Sequence, residues 1–241
     1  MATLHPFRAV RPLPQHVKEI ASVPYDVVDS EEARELAEGN PRSFLHVARP
    51  EIDLPPGTDE HDDAVYEQGA INLRQFVEAD YTLQEPSPTV YVYRLIMDGR
   101  EQTGIFGCVS VDEYEDGTIV KHEETRPAKE DDRTRHILTQ QAHAEPVMLT
   151  YRDEETIHAL VADIQETEPL YDFVAEDGVR HTVWKATDSE ALVDAFRGVD
   201  HLYIADGHHR CKAASRAAAT LRAEEETDSG SGVPEYEKFT T

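Results

Sequence analysis

The sequence predicts an α/β protein of the α+β kind, built on a mixed β-sheet with flanking helices. Three observations carry this reading. Short runs rich in Val, Ile, Tyr and Thr, bounded by Gly, Pro or Asp, have the composition of strands. Longer stretches carry apolar residues at helical spacing, and several open on Asp or Ser. The two kinds of segment follow one another without strict alternation, which argues for a mixed rather than a wholly parallel sheet.

Taken in order, His5–Val10 reads as a short strand leading into a proline-punctuated stretch. Val23–Val28 is expected to be extended, because Pro24 pushes the residue before it out of the helical region. Asp29 and Ser30, followed by Glu31 and Glu32, have the form of a helix cap with acidic residues in the first turn, and Gly39-Asn40-Pro41 stops that helix. Phe44–Val47 reads as a strand. His61–Ala79 places Ala64, Val65, Ile71, Leu73, Phe76 and Val77 at helical spacing. Thr89–Ile96 and Gln102–Val111 flank Asp98-Gly99, the dipeptide that a tight hairpin turn prefers.

Further along, Thr118–Val120 should be a strand that delivers His122 and Glu123 to its carboxyl end. Lys129–His143 is a polar helix, Val147–Tyr151 a strand and Glu154–Gln165 a helix. Tyr171–Val174 and Arg180–Lys185 make a second hairpin about Asp177-Gly178. Asp188–Arg197 is a helix, His201–Ile204 a buried strand, and His208–Glu225 a final helix. Residues 1–222 are expected to form one α/β domain of catalytic type, incomplete at its carboxyl end. Residues 223–241 are expected to be an acidic flexible linker and the start of a missing strand.

Forty-nine acidic residues against 23 basic ones give a formal net charge of −26. Self-repulsion on this scale destabilises a compact chain in dilute buffer. At about 1 M salt the screening length falls to about 3 Å, and the repulsion fades. The charge therefore points to the cytoplasm of a salt-loving organism. It also argues against a nucleic-acid partner, which would need Lys and Arg to neutralise phosphates. No apolar run approaches the roughly 20 residues of a membrane helix, so no membrane partner is expected. Cys108 and Cys211 form neither a disulfide framework nor a metal-binding spacing.

The segment Asp206-Gly207-His208-His209-Arg210 carries the strongest chemical signal. A buried strand ends there, glycine permits a sharp turn, and a helix begins whose first N–H groups lack partners. Those donors and the helix dipole favour an anion. Asp206 can cap the helix, bind a metal or accept a proton, while His208, His209 and Arg210 surround the same point with hydrogen-bonding or cationic groups. The blander alternative makes Asp206 a simple cap and the histidines surface residues.

A second segment joins His122, Glu123 and Thr125 to Lys121, Arg126, Arg133 and Arg135, a gathering of cations in a chain short of them. Carboxylate, histidine and arginine together suit phosphoryl transfer, in which positioning and charge neutralisation dominate. A solvated loop and helix face would look the same. Pro24-Tyr25-Asp26 could line a pocket or form a packed turn. The glycine-rich phosphate loops, the serine-hydrolase elbow and the zinc-protease helix motif are absent from the sequence.

Val23–Val28, His122-Glu123 with Thr125 and Asp132-Arg133, and Asp206–Arg210 occur in an order and spacing that resembles the family catalogued as domain of unknown function 1015. The last motif resembles the phosphate-binding strand-turn-helix of the ParB and sulfiredoxin superfamily, which includes free-serine kinases that use ADP; some 1015 members use pyrophosphate. The resemblance implies transfer of a phosphoryl group to the hydroxyl of free L-serine, giving O-phosphoserine, with Mg²⁺ assisting. It implies that Gly207, His208, His209 and Arg210, together with Asp206, hold the phosphate donor, faced by His122, Thr125 and Arg133. Glu123 is then the general base, with Asp206 the alternative, and Tyr25 and Asp26 hold the amino acid. The metal ligands are left unassigned. Two other readings stay open, a ParB-like nucleotide-binding switch and a truncated, non-catalytic phosphate-binding module. Oligomeric state is not legible.

Overall fold

A computed structural model describes residues 1–228 of the chain. The amino-terminal segment makes isolated bridges from His5 to Cys108 and from Phe7 to Thr89, so regular pairing begins only at β1 (Val10–Pro12) rather than over His5–Val10. Four helices follow, α1 (Val17–Ile20), α2 (Ser30–Ala37), α3 (Leu45–Ala48) and α4 (Asp63–Val77), before β2 (Thr82–Gln84) returns to pair with β1. Then come β3 (Tyr91–Met97), β4 (Arg100–Phe106), α5 (Val111–Asp116), β5 (Ile119–Val120), α6 (Pro127–Gln140), β6 (Met148–Thr150) and α7 (Glu155–Gln165). The chain continues through β7 (Tyr171–Val174), β8 (Arg180–Lys185), α8 (Ser189–Phe196) and β9 (Leu202–Asp206) to the long α9 (His208–Asp228).

Class and composition agree with an α/β protein of mixed strand direction. The mixed sheet is the three-stranded one, in the order β5-β9-β6, with β5 parallel and β6 antiparallel to the central β9. An antiparallel sheet in the order β4-β3-β8-β7 lies apart from it, and β1 pairs with β2 in a third. The main apolar core joins the two larger sheets: Val90, Val92 and Trp184 pack in one cluster with Ile157, Leu192, Leu202 and Ile204. Each such fully buried large side chain contributes about 1.5–3 kcal/mol of transfer free energy. Among the helices, α6 packs against both α4 and α9.

Local signals account for several elements. Asp29 accepts from the N–H groups of Glu31 and Glu32, and Glu32 accepts from the Asp29 N–H, a reciprocal cap worth about 1 kcal/mol. Asp98 and Gly99 both have positive φ, 51° and 76°, which is the twist a two-residue hairpin between β3 and β4 requires.

Other elements differ from expectation. Phe44–Val47 is not a strand; Leu45–Ala48 forms α3. In a strand Leu45 and Val47 would point to one side. Here Leu45 packs with Ala33, Ala37 and Ile52, while Val47 packs with Ile20 and Phe76, and a helical turn is what sends them to different clusters. The strand expected through Val111 ends at Phe106, because Ser110 caps α5 by accepting from the Asp112 N–H at 3.1 Å. Val23–Val28 is extended at its two ends, but Tyr25–Val27 tightens into a 3₁₀ turn before Val28. Of the linker and incipient strand expected over 223–241, residues 223–228 continue α9 and the remainder lies outside the described residues. No helix among the described residues is long and apolar enough to cross a membrane.

Candidate functional site

The site is built where β9 and β5 end. Ile119 pairs with Leu202 and Val120 with Tyr203 in parallel register, so both strands finish at one rim. The residues after β5, Lys121–Thr125, therefore meet the turn after β9. Gly207 makes that turn with φ +95°, and a Cβ there would sit 3.1 Å from both Val147 Cγ1 and Arg210 Nε. Position 207 needs glycine for conformation and for space.

His208 opens α9 and is only 5% exposed. Its Nδ1 lies 3.6 Å from Glu123 Oε2, too far for a hydrogen bond, and its Nε2 is buried with no hydrogen-bond partner among the described residues. The His122 ring stands edge-on to it with centroids 4.4 Å apart, and His122 Nε2 is 3.9 Å from Glu123 Oε1. Glu123 and His208 border an open groove of about 360 Å³ lined also by Tyr114, Lys121, Glu124, Thr125 and Lys212, and His122 stands beside them. Lys121 Nζ rests 3.6 Å above the Tyr114 ring, and Lys212 Nζ is 4.0 Å from Glu115. The groove thus combines two ammonium groups, a helix amino end and exposed carboxylates.

His209 faces elsewhere. Its Nε2 accepts from the Arg126 N–H at 3.1 Å and so ties the start of α9 to the loop before α6. Burial, with the charges of Lys129 and Arg126, holds this imidazole below its ordinary pKa. Thr125 donates its hydroxyl to Glu130, which also pairs with Arg216.

A second cluster shares no residue with the groove's lining. Arg210 donates to the Pro146 carbonyl and to the Asp206 carboxylate, and Asp26 lies 3.8 Å from the same guanidinium. The Arg133 guanidinium covers the Tyr25 ring at 4.3 Å and pairs with Asp132 at 2.7 Å. Asp132 also accepts from Tyr66 Oη at 2.8 Å; burial would raise its carboxyl, but Arg133 holds it below the usual range. Burial likewise raises the Tyr25 phenol despite the pull of Arg133. Glu145 belongs to this cluster. Its Oε1 is buried without a hydrogen bond, and burial pushes the carboxyl up to about 7 even though Arg133 and Arg210 oppose it.

The structure therefore gathers His122, Glu123, Thr125 and His208 around the groove, and Tyr25, Asp26, Arg133, Asp206 and Arg210 in the neighbouring cluster. The two meet at the Gly207 turn. Arg133, expected opposite His208, stands instead over Tyr25, and Arg210 is engaged by Asp206. The sequence reading missed Tyr114, Lys212 and Glu145. Lys212 was within reach, since it lies four residues after His208 and so on the same helix face. Tyr114 lies between the expected strands Gln102–Val111 and Thr118–Val120, in a stretch given no element, and Glu145 has no local signature.

Mg²⁺, which the family resemblance implies, prefers oxygen ligands in octahedral geometry. The donors that the groove brings within 4.8 Å of one another are His122, Glu123 and His208, two imidazoles and one carboxylate. That set does not fit magnesium as a protein-held ion.

The family model described as protein of unknown function (DUF1015) matches residues 4–241. The chain belongs to the DUF1015 family. No curated protein and no solved structure matches it. In this DUF1015 chain all three motifs that carried the resemblance fall at the two adjoining clusters.

Proposed function

We propose that this DUF1015 protein is a small-molecule kinase that phosphorylates the hydroxyl of free L-serine, with pyrophosphate or ADP as donor. One observation carries the reading above all: the parallel pairing of β5 with β9 sets Glu123 beside His208 at the amino end of α9. An anion there would meet unpaired helix N–H groups and the Lys121 and Lys212 ammonium groups. The serine oxygen would attack the terminal phosphorus as its proton passes to Glu123. The bond from that phosphorus to the bridging oxygen breaks, and phosphate (or AMP) leaves with the electron pair. Glu123 suits the base better than Asp206, whose carboxylate is committed to Arg210. Asp26 and Tyr25 would receive the amino acid. Magnesium enters only as an ion carried on the donor's own phosphate oxygens, and no step is assigned to it. The charge of −26 supports the cytoplasm of a salt-loving organism as the setting.

The test is incubation in molar KCl with Mg²⁺, L-serine and, separately, pyrophosphate, ADP and ATP, with O-phosphoserine read by mass spectrometry. One donor should give product, and Glu123→Gln should lower turnover by about 10²–10⁴-fold. Phosphate binding without product from any donor would instead favour the non-catalytic phosphate-binding module.

A further inference from the structure

We propose that His122, Glu123 and His208 form a binding site for one divalent cation of the borderline-soft kind, such as Co²⁺ or Zn²⁺, selected over Mg²⁺. The three ligand atoms lie within 4.8 Å of one another. Ligands bound at about 2.1 Å to one ion stand roughly 3.0–3.5 Å apart; His208 Nδ1 is 3.6 Å from one Glu123 carboxylate oxygen and His122 Nε2 is 3.9 Å from the other, so side-chain rotation has to draw the three together. His122 and Glu123 are exposed and free to make them. His208 is the fixed member, 5% exposed and held at the start of α9.

A second observation points to a ligand at this place. Nδ1 of the buried His208, the ring nitrogen that faces Glu123 at 3.6 Å, makes no hydrogen bond within the described residues and is open to a ligand on the Glu123 side. Two imidazoles and a carboxylate are the donors that late first-row divalent ions accept and that Mg²⁺ avoids. Lys121 and Lys212 oppose a cation, but one rests on the Tyr114 ring and the other leans towards Glu115. Occupancy and proton abstraction by Glu123 exclude one another, so a bound ion would block the proposed kinase reaction at its base, and the site is read by binding rather than by turnover.

The experiment is a Co²⁺ titration of the chelator-stripped full chain in molar KCl, which suppresses diffuse binding to the acidic surface. We expect one equivalent with visible d–d absorption characteristic of imidazole ligation, retained in tenfold excess Mg²⁺ and displaced by Zn²⁺. His208→Ala and His122→Ala should each weaken binding about tenfold or more, since even outer-sphere losses cost that much. His122 is exposed, so its variant keeps the test sound if His208→Ala misfolds by circular dichroism. Absence of the absorption bands, displacement by equimolar Mg²⁺, or affinity unchanged in a folded His122→Ala would each overturn the assignment.

Discussion

Arg210 reaches back over the Gly207 turn and pairs with the carboxylate of Asp206, while its other nitrogen donates to the Pro146 carbonyl. Arg210 therefore serves as a brace on the turn and as a charge beside it. Arg210→Ala should weaken binding of the phosphate donor by about 1–3 kcal/mol, the range for a charge-assisted hydrogen bond. Titration calorimetry with pyrophosphate checks this, and an unchanged affinity would remove Arg210 from the donor site.

Gly207→Ala tests the turn without removing a charged group. A side chain at φ +95° costs about 1–2 kcal/mol, and its Cβ would press on Val147 and on the Arg210 side chain. Denaturant melts should show a loss of that order. Donor affinity should fall as well, because Arg210 must move. Wild-type stability in the alanine variant would mean that the turn tolerates Cβ and that glycine is not required.

The carboxyl of Glu145, at about 7, gives a pH prediction. An unfolded glutamate titrates near 4.3. Between those values the folded chain keeps a proton that the unfolded chain has released. Stability from this group is full below about 4, declines as pH rises, and is gone above about 7. Glu145→Gln should therefore be more stable than the parent at pH 8, by about 1–3 kcal/mol, and much closer to it at pH 5. Equal differences at both pH values would contradict a raised carboxyl.

Salt supplies the fourth prediction. With a charge of −26, the melting temperature should rise between dilute buffer and molar KCl as carboxylate repulsion is screened. Screening also weakens exposed pairs such as Arg135–Asp63 and Arg222–Asp112, but pairs of that kind contribute only about 0–1 kcal/mol each. A melting temperature that stayed flat or fell would remove the argument for a salt-loving host.

Where local chemistry dictates structure, the sequence was readable. Asp29 with Glu32, and Asp98 with Gly99, determine a helix start and a hairpin turn from neighbouring residues alone. The meeting of Glu123 with His208 was also foreseeable, because each follows a strand and two strands at one rim bring their loops together. Leu45 and Val47 were misread because a four-residue segment with three apolar side chains fits either period. Their destinations, two different clusters, are decided by distant Ala33 and Phe76. Ser110 with Asp112 and Glu113 did carry a capping signal, masked by the β-branched residues before it. Glu145 could not be found locally, since its state is set by burial beside Arg133 and Arg210.

The wall of the groove that carries Glu123 hangs from a very short ladder. Among the described residues β5 is joined to β9 through only Ile119–Leu202 and Val120–Tyr203, whereas β9 is held on its other side by β6. Amide exchange should reflect that inequality. Protons on residues 119–125 should be lost through brief local openings, and those on 202–204 only when the surrounding core gives way. The two halves of the groove thus belong to different cooperative units. A ligand that bridges Glu123 and His208 would staple the weaker unit to the stronger, and its arrival would be seen as slowed exchange confined to the Glu123 arm.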